Sequence, residues 1–387
     1  MKKLLFVAVF ALVAPLLRAQ DPGPDVRKAL QPFIDRGELP GFVVMVANTD
    51  KVLYTDCLGY GNIEKHQKTS LDGIYWMASQ TKSVSAAALM MLVDEGKIDL
   101  DAPVSTYLPE LQKMMVVRNR NSQSLEVDYT TKPITVRMLL SHTSGMVKHD
   151  DIESAMGKID IFPFSIGTYA SAQTPLLFQP GEGYHYSNQG VNTAMAVVER
   201  VSGMSYAEFL QKRLFDPLGM KSATFWPTVE QQKKLAVPYI YEDNKLVRSE
   251  YKNFQSPLED RSKRFPNAGG GLFCSPADMV KFYQMIAGGG IYNGKRYLSQ
   301  NAIDIMGSKQ TPASVKEPYG LCWRVADGYM GHGGAGGTYA SIYRNRGLVV
   351  LYFICMTGES KGHEALRAYE RAVRNVFGIT DKAVIDF

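Results

Sequence analysis

A serine and a lysine three positions apart are the first pair in this sequence that could do chemistry. Ser79 and Lys82 open a run that includes Val84 and Ala87, and its spacing predicts a strongly amphipathic helix that ends near Gly96. Residues three apart share one face of a helix, so the hydroxyl and the amine can meet. A serine needs a neighbouring base to become a nucleophile, and a partly buried lysine can be neutral enough to serve.

Tyr186 and Asn188 form a second element. A phenol can shuttle a proton, and an amide can hydrogen-bond a substrate. Neither spacing is selective, because the chain repeats both of them elsewhere, at Tyr60 with Asn62, Tyr251 with Asn253, Tyr343 with Asn345, and Ser249 with Lys252. The choice of Ser79, Lys82 and Tyr186 as catalytic residues therefore depends on their context.

A third element contains His332, Gly334 and Ala335, just before a strand predicted from Thr338. Small residues let a ligand approach main-chain amides closely, and a histidine can orient a substrate or lend a proton near neutral pH. The stretch 331–336 also matches the spacing of a dinucleotide-binding loop. That interpretation fails because a strand follows where a helix is required.

Ser360 is a rival nucleophile. It lies between two glycines, after an apolar strand and before a predicted helix, as the serine of a nucleophile elbow does. An elbow serine needs an acid and then a histidine later in the chain, and only His363 follows. A surface turn is therefore the better interpretation of Ser360.

Composition excludes several classes of protein. The chain has 387 residues, 45% of them hydrophobic, and a formal charge of +5, to which Lys2, Lys3 and Arg18 contribute three charges. The near-neutral remainder gives no reason to expect nucleic acid as a partner. The six histidines form no ligand pair at helical spacing with an acidic partner, so we expect no metal and no cofactor.

The N-terminus has the pattern of a signal peptide over residues 1–19. Two lysines precede an apolar run from Leu4 to Leu17, and small residues follow. The run is shorter than the roughly 20 residues of a spanning helix, although an uncleaved anchor is the alternative. We expect a periplasmic or secreted protein with no transmembrane anchor after signal removal. Export permits disulfides, but the apolar surroundings of the cysteines favour buried free thiols, at Cys57, Cys274, Cys322 and Cys355.

The order of predicted elements indicates an α/β (α+β) fold. Residues 20–387 begin with a predicted helix at 26–36 and a hairpin at 41–48 and 52–59. They end with predicted strands at 320–325, 338–344 and 348–356 and a helix at 364–376. We predict one largely antiparallel sheet built from both chain ends, in a lobe of about 22–80 and 266–387. A mainly helical lobe of about 81–265 is inserted, with helices at 135–140, 188–201 and 206–214, and the cleft between the lobes is the expected ligand site.

In this order, the motifs resemble the serine β-lactamase-like superfamily, in the branch of class C β-lactamases, D,D-peptidases, D-aminopeptidases and related esterases. The resemblance covers nearly the whole mature chain and includes segments 79–82, 92–97, 139–145, 180–182, 186–188, 216–220 and 269–273. It implies Ser79 as nucleophile, Lys82 and Tyr186 sharing the general base and acid work, and Asn188 as a substrate contact. It also implies an oxyanion hole from the amides of Ser79 and Ala335, and a binding role for His149.

One departure from the family pattern concerns the substrate. Class C β-lactamases have a Lys-Thr-Gly element where this chain has His332, Gly333 and Gly334, which removes a cation that would pair with a substrate carboxylate. We therefore expect an esterase or peptidase acting on a small-molecule or peptide acyl substrate. The alternatives are hydrolysis of β-lactams or cell-wall peptides, acyl transfer to an alcohol, and a non-catalytic relative that binds a ligand.

Overall fold

The computed structural model describes residues 23–121, 123–149, 151–358 and 361–380. Its α-helices, in chain order, are α1 (Gly23–Asp35), α2 (Thr81–Asp94), α3 (Val136–Leu140), α4 (Asp151–Met156), α5 (Phe164–Gln173), α6 (Asn188–Ser202), α7 (Tyr206–Leu210), α8 (Asp216–Leu218), α9 (Val229–Gln232), α10 (Pro276–Ala287), α11 (Gln300–Met306) and α12 (Lys361–Val376). None of these helices is long and apolar enough to cross a membrane.

The strands belong to one large sheet and four small two-stranded pairs. They are β1 (Gly41–Ala47), β2 (Val52–Asn62), β3 (Gln67–Lys68), β4 (Tyr75–Trp76), β5 (Met115–Arg120), β6 (Leu125–Tyr129), β7 (Tyr239–Glu242), β8 (Lys245–Arg248), β9 (Phe273–Cys274), β10 (Ile291–Tyr292), β11 (Lys295–Arg296), β12 (Arg324–Ala326), β13 (Tyr329–Gly334), β14 (Thr338–Tyr343) and β15 (Leu348–Phe353).

The large sheet has seven strands in the order β12-β13-β14-β15-β1-β2-β3, and every neighbouring pair is antiparallel. Strand β1 lies between its hairpin partner β2 and β15, with Val43 opposite Phe353. This confirms the prediction of an antiparallel sheet built from both ends of the chain.

Each strand of this sheet sends alternate side chains to opposite faces, as the pleat requires. Val43 and Met45 of β1 point to the front face, which α10 covers with α2 beside it. Phe42 and Val44 point to the rear face, which α1 and α12 cover. Because β1 is buried on both faces, it is apolar throughout and shows no alternation in its sequence.

Helix α2 differs from its prediction. The run after Ser79 indicates an amphipathic helix, yet every residue from Thr81 to Leu92 is buried. The polar residues at its start are hydrogen-bonded inside the protein, as when Ser85 Oγ meets the Tyr206 hydroxyl at 2.7 Å. A helix enclosed on all sides can position a reactive side chain with little freedom of movement.

The segment between α2 and β9 contains helices and also two hairpins that the sequence did not suggest, β5 with β6 and β7 with β8. All five residues of β6 are exposed, so no buried face gave it a detectable period. The four cysteines are free thiols.

Candidate active site

Ser79 lies on a single 3-10 turn, Ala78–Gln80, that leads into α2. The backbone before it is fixed by the pairing of Trp76 with Phe273, and the Trp76 indole donates to the carbonyl of Gly270 at 2.6 Å. Ala78 has a φ of +45°, a conformation that few residues other than glycine adopt. Such strain is typical of functional sites, and here it turns the partly exposed Ser79 side chain toward a cavity.

Lys82 meets Ser79 as the helical spacing predicts. Its Nζ lies 3.2 Å from Ser79 Oγ and also donates to the carbonyl oxygen of Gly269. The side chain is fully buried, and this burial lowers the pKa of Lys82 to about 7. A large fraction of Lys82 is therefore a neutral amine at neutral pH, with a lone pair that can accept the Ser79 proton.

Tyr186 completes a triangle with these two residues. It precedes α6, whose first turn is capped by Ser187 Oγ accepting from the amide of Gly190. The Tyr186 phenol interacts with the Ser79 hydroxyl, and Lys82 Nζ lies 4.6 Å from the centre of its ring. Burial raises the pKa of Tyr186 well above its ordinary value, so the phenol is neutral and can relay a proton.

Gly334 and Ala335 lie at the end of β13, against the turn that carries Ser79. His332 and Gly334 lie just before the predicted strand, which is β14, and they also belong to a strand that the sequence did not suggest, β13, which pairs with β14. A Cβ atom at Gly334 would overlap the carbonyl oxygen of Met77. The glycine therefore allows β13 to lie against this turn, and Ser79, Gly334 and Ala335 line one cavity.

His332 is buried, and both of its ring nitrogens are engaged. Nδ1 lies 2.7 Å from the carbonyl oxygen of Gly333 and must carry the proton, so Nε2 accepts from the Tyr319 hydroxyl at 2.9 Å. Burial, with the nearby Lys82, lowers the pKa of His332 to about 3. His332 is therefore neutral and fixes Tyr319, and the expectation that it lends a proton near neutral pH does not fit this geometry.

Asn188 and His149, for which the resemblance implies contacts with the substrate, are neighbours. Asn188 Nδ2 lies 3.1 Å from His149 Nε2, and His149 Nδ1 lies 3.4 Å from a carboxylate oxygen of the buried Glu153. A proton on Nδ1, facing the carboxylate, leaves Nε2 to accept from the amide. Asn188 also packs against Gly269, whose carbonyl accepts from Lys82, so this chain of contacts ends at the Lys82 amine.

The cavity beside Ser79 has a volume of about 710 Å³. Most of its lining residues were not identified from the sequence, among them Tyr184, Glu317, Arg324 and Tyr339, and neither was Tyr319, the partner of His332. Arg324 Nη1 lies 3.3 Å from Glu317 Oε1, so the cavity wall contains an ion pair. Tyr184 precedes Tyr186 by two positions, which is the only local signal that could have indicated it.

The decoy motifs occupy other contexts. Ser249 and Lys252 follow β8 in irregular chain, while Tyr60 and Tyr343 lie within or at the end of strands. The rival Ser360 and the signal-peptide region fall outside the described residues. Within the described ranges, no three His, Cys, Asp or Glu side chains are grouped as metal ligands would be.

Comparison with known proteins identifies the family. A family model described as Beta-lactamase matches residues 26–374. The chain belongs to the β-lactamase family. This confirms the resemblance to the serine β-lactamase-like superfamily and makes the chain a β-lactamase-family serine hydrolase.

Members of the family with similar sequences include an esterase. Protein Rv1367c of Mycobacterium tuberculosis is 29% identical over 72% of this chain and 70% of its own length. Lovastatin esterase of Penicillium rubens is 30% identical over 71% of this chain and 70% of its own length.

The fold is also found among solved structures. EstCE1, described as a hydrolase with promiscuous acyltransferase activity, has a TM-score of 0.76 at 20% identity, and the match covers 92% of this chain and 99% of that one. At this identity, the match supports the fold prediction.

Proposed function

We propose that this protein is an exported serine hydrolase that forms an acyl-enzyme on Ser79, with esters favoured over peptides or amides as substrates. The observation that carries the proposal is the 3.2 Å contact between Ser79 Oγ and the Nζ of a fully buried lysine. Because burial brings the pKa of Lys82 to about 7, the amine can act as a base under physiological conditions.

The proposed reaction has two stages. Lys82 takes the Ser79 proton, Oγ attacks the substrate carbonyl carbon, and the amides of Ser79 and Ala335 bind the resulting oxyanion. The proton then passes through Tyr186 to the leaving oxygen, the carbon–oxygen bond breaks, and the alcohol departs. Water repeats the sequence in reverse, giving the free acid and restoring Ser79.

The electrostatics of the site support an uncharged ester as substrate. His332 stands where class C β-lactamases have a lysine, and it is neutral because burial lowers its pKa to about 3. Lovastatin esterase, as a 30% identical relative, supports the same choice. EstCE1 shares the fold, and its printed acyltransferase activity makes transfer to an alcohol an extension of the same acyl-enzyme chemistry.

A second candidate is an acyl substrate that carries a carboxylate, such as a β-lactam or a cell-wall peptide. Arg324 lines the cavity, and a guanidinium suits carboxylate recognition. The ion pair with Glu317 already engages this cation, so a carboxylate substrate would have to compete with Glu317.

Covalent labelling tests the nucleophile. We would incubate wild type, Ser79→Ala and Ser360→Ala with a fluorophosphonate, measure intact mass, and assay a p-nitrophenyl ester and nitrocefin on the same samples. Loss of label only in Ser79→Ala, with faster ester than nitrocefin turnover, is expected. Loss only in Ser360→Ala would overturn the assignment, and faster nitrocefin turnover would favour the second candidate.

Export is proposed from the pattern of residues 1–19. Full-length protein produced in a Gram-negative host should be recovered from the periplasm or medium with a mass that places its N-terminus near Ala19 or Gln20. Full-length mass in the membrane fraction would indicate an uncleaved anchor, and full-length mass in the cytoplasm would contradict export.

A further inference from the structure

The cavity beside Ser79 crosses from the front face of the sheet to the rear face. Its catalytic part is lined by Ser79, Tyr184 and Tyr186, and it continues past the turn that joins β13 to β14. Beyond this turn the walls are residues of the rear core, which we call the rear arm: Tyr339, Tyr352, Ile354, Met356 and Leu366, with His363 beside them.

The composition of the strands creates this passage. Gly333 lies opposite Tyr339 and directs no side chain to the rear face, so the Tyr339 ring packs against the strand, whereas a side chain at position 333 would push this ring away. Ala335 is followed on the turn by Gly336. The amide of Gly337 donates to the carbonyl oxygen of Gly334 at 2.9 Å, which keeps the turn narrow. A flexible substrate can therefore bend around the strand end.

We propose that the rear arm binds the alcohol portion of an ester whose alcohol is long and apolar. The inference deepens the proposed function and rests on it. The apolar walls at Ile354, Met356 and Leu366 would bury methylene groups, each worth about 0.8 kcal/mol when removed from water.

The position of Tyr186 assigns the arm to the alcohol and not to the acyl group. The proton that Ser79 loses must reach the leaving oxygen, and Tyr186, which lines the same cavity as Ser79 with Lys82 Nζ 4.6 Å from its ring centre, is placed to deliver it. Among the described residues, the cavity wall includes Tyr186 but neither Asn188 nor His149. The leaving group therefore enters the cavity with the rear arm, and the acyl group lies on the side of Asn188.

The rear arm also affects deacylation, which is the second stage of the proposed reaction. Deacylation retraces acylation, so an alcohol that occupies the rear arm is placed to attack the acyl carbon while Tyr186 accepts its proton and passes its own proton to Lys82, which returns it to Ser79 Oγ. The carbon–oxygen bond to Ser79 then breaks, and Ser79 regains a proton. Long apolar alcohols should therefore compete with water as acyl acceptors, giving a new ester in place of the acid.

Two isomeric esters test the assignment. Octyl acetate and ethyl octanoate have the same composition, but the long chain belongs to the alcohol in the first and to the acid in the second. Wild type should cleave octyl acetate with the higher kcat/KM, by about tenfold or more. His363→Trp, at a partly exposed position in the first turn of α12, should lower kcat/KM for octyl acetate relative to that for ethyl octanoate and so remove this preference.

Two further variants distinguish a blocked rear arm from a folding defect as the cause of the lost preference in His363→Trp. Arg367→Trp places the same side chain at an exposed position of α12 outside the cavity wall and should leave the preference unchanged. Met356→Ala should extend the preference to longer alcohols. If either of these expectations fails, the arm does not bind the alcohol.

The outcomes distinguish failure of this inference from failure of the proposed function. Fluorophosphonate labelling of Ser79, together with a preference for ethyl octanoate that His363→Trp removes, would assign the arm to the acyl chain and overturn the inference alone. Labelling without turnover of either ester would also overturn it alone. Undiminished turnover in Ser79→Ala would overturn the proposed function and this inference together.

Discussion

Each face of the main sheet buries one ionisable group, and the two groups differ in how completely their surroundings are hydrogen-bonded. On the rear face, Glu370 accepts hydrogen bonds from Ser341 Oγ and, at 2.7 Å, from the Tyr343 hydroxyl, so both carboxyl oxygens have partners. On the front face, Lys82 is equally buried, but its neighbourhood is incompletely bonded. Within the described part of the chain, His142 Nε2 and Asn188 Oδ1 are buried and have no hydrogen-bond partner.

This difference separates a structural polar cluster from a catalytic one. A buried group that serves only packing is stabilised by partners from the protein itself. A site that must bind a substrate keeps donors and acceptors available, at a cost in folding free energy. The comparison predicts that removing the Lys82 amine from the front face stabilises the fold and abolishes activity. Removing the Glu370 carboxyl group from the rear face should destabilise the fold and spare activity.

The largest expected effect is that of Lys82→Met. Ester turnover and fluorophosphonate labelling should fall by about a thousandfold or more, because Ser79 loses its base. The free energy of unfolding at neutral pH should rise by about 2–4 kcal/mol, because each unit of pKa depression corresponds to roughly 1.4 kcal/mol of cost for the charged amine. Chemical denaturation and labelling kinetics measure the two quantities.

The matched control is Lys252→Met, since Lys252 is exposed and belongs to the decoy motif with Ser249. It should change neither quantity.

The pH dependence of stability gives a further check. The pKa of Lys82 is about 7 in the folded protein and 10.5 in the unfolded chain, so wild-type stability should rise as pH increases between these values. A stabilisation by Lys82→Met that persists undiminished at the upper end of this range would contradict the assignment.

The second prediction concerns the rear face. Glu370→Ala leaves the hydroxyls of Ser341 and Tyr343 without their acceptor and opens a cavity, so unfolding should require about 2–4 kcal/mol less. Labelling of the folded protein should stay within about twofold of wild type, because Glu370 contacts no catalytic residue. A large loss of labelling in a folded variant would mean that the two faces are coupled.

The third prediction is the pH profile of acylation in wild type. Because burial lowers the pKa of Lys82 to about 7, the labelling rate should rise with pH, with a midpoint near this value, and then reach a plateau. On the acidic side, the rate should change by about tenfold per pH unit. His332, whose pKa is lowered to about 3, should add no transition near neutrality. A midpoint near the ordinary lysine value would refute a neutral Lys82.

The smallest expected effect comes from His149. His149→Leu removes the acceptor that fixes Asn188 Nδ2, so kcat/KM for esters should fall by about three- to tenfold, with stability nearly unchanged. His66→Asn, at an exposed histidine with a φ of +49°, serves as the control because asparagine tolerates this conformation. Equal effects of the two substitutions would deny His149 a positioning role.

The sequence predicted the parts of the fold that have a clear period or a clear boundary. The hairpin of β1 and β2, the helix after Ser79, and the strands β14 and β15 were found because apolar residues recur there with strand or helix spacing. Ser79 and Lys82 were found because both lie within one helical turn, where spacing along the chain determines distance in space.

The remaining features depend on contacts between distant segments. Strand β13 was missed because four of its six residues are glycine or histidine, which have low strand propensity, and it is a strand because glycine allows close approach to Met77. Tyr319 and Arg324 carry no local pattern that relates them to His332 or Tyr186. The hairpin of β12 and β13 sets Arg324 opposite Gly331, and this local pairing escaped notice because the glycines of β13 hide its strand pattern.

The position of β1 between β2 and β15 has a consequence for how the site assembles. Val43 pairs with Phe353, so the centre of the sheet closes a loop of about three hundred residues, and such non-local pairing slows folding. Ser79 and its helix are synthesised early, but the strand that carries Ala335 comes near the end. In the proposed mechanism, a nascent chain therefore holds Ser79 without the amide of Ala335, and the complete site forms in the same step that completes the sheet.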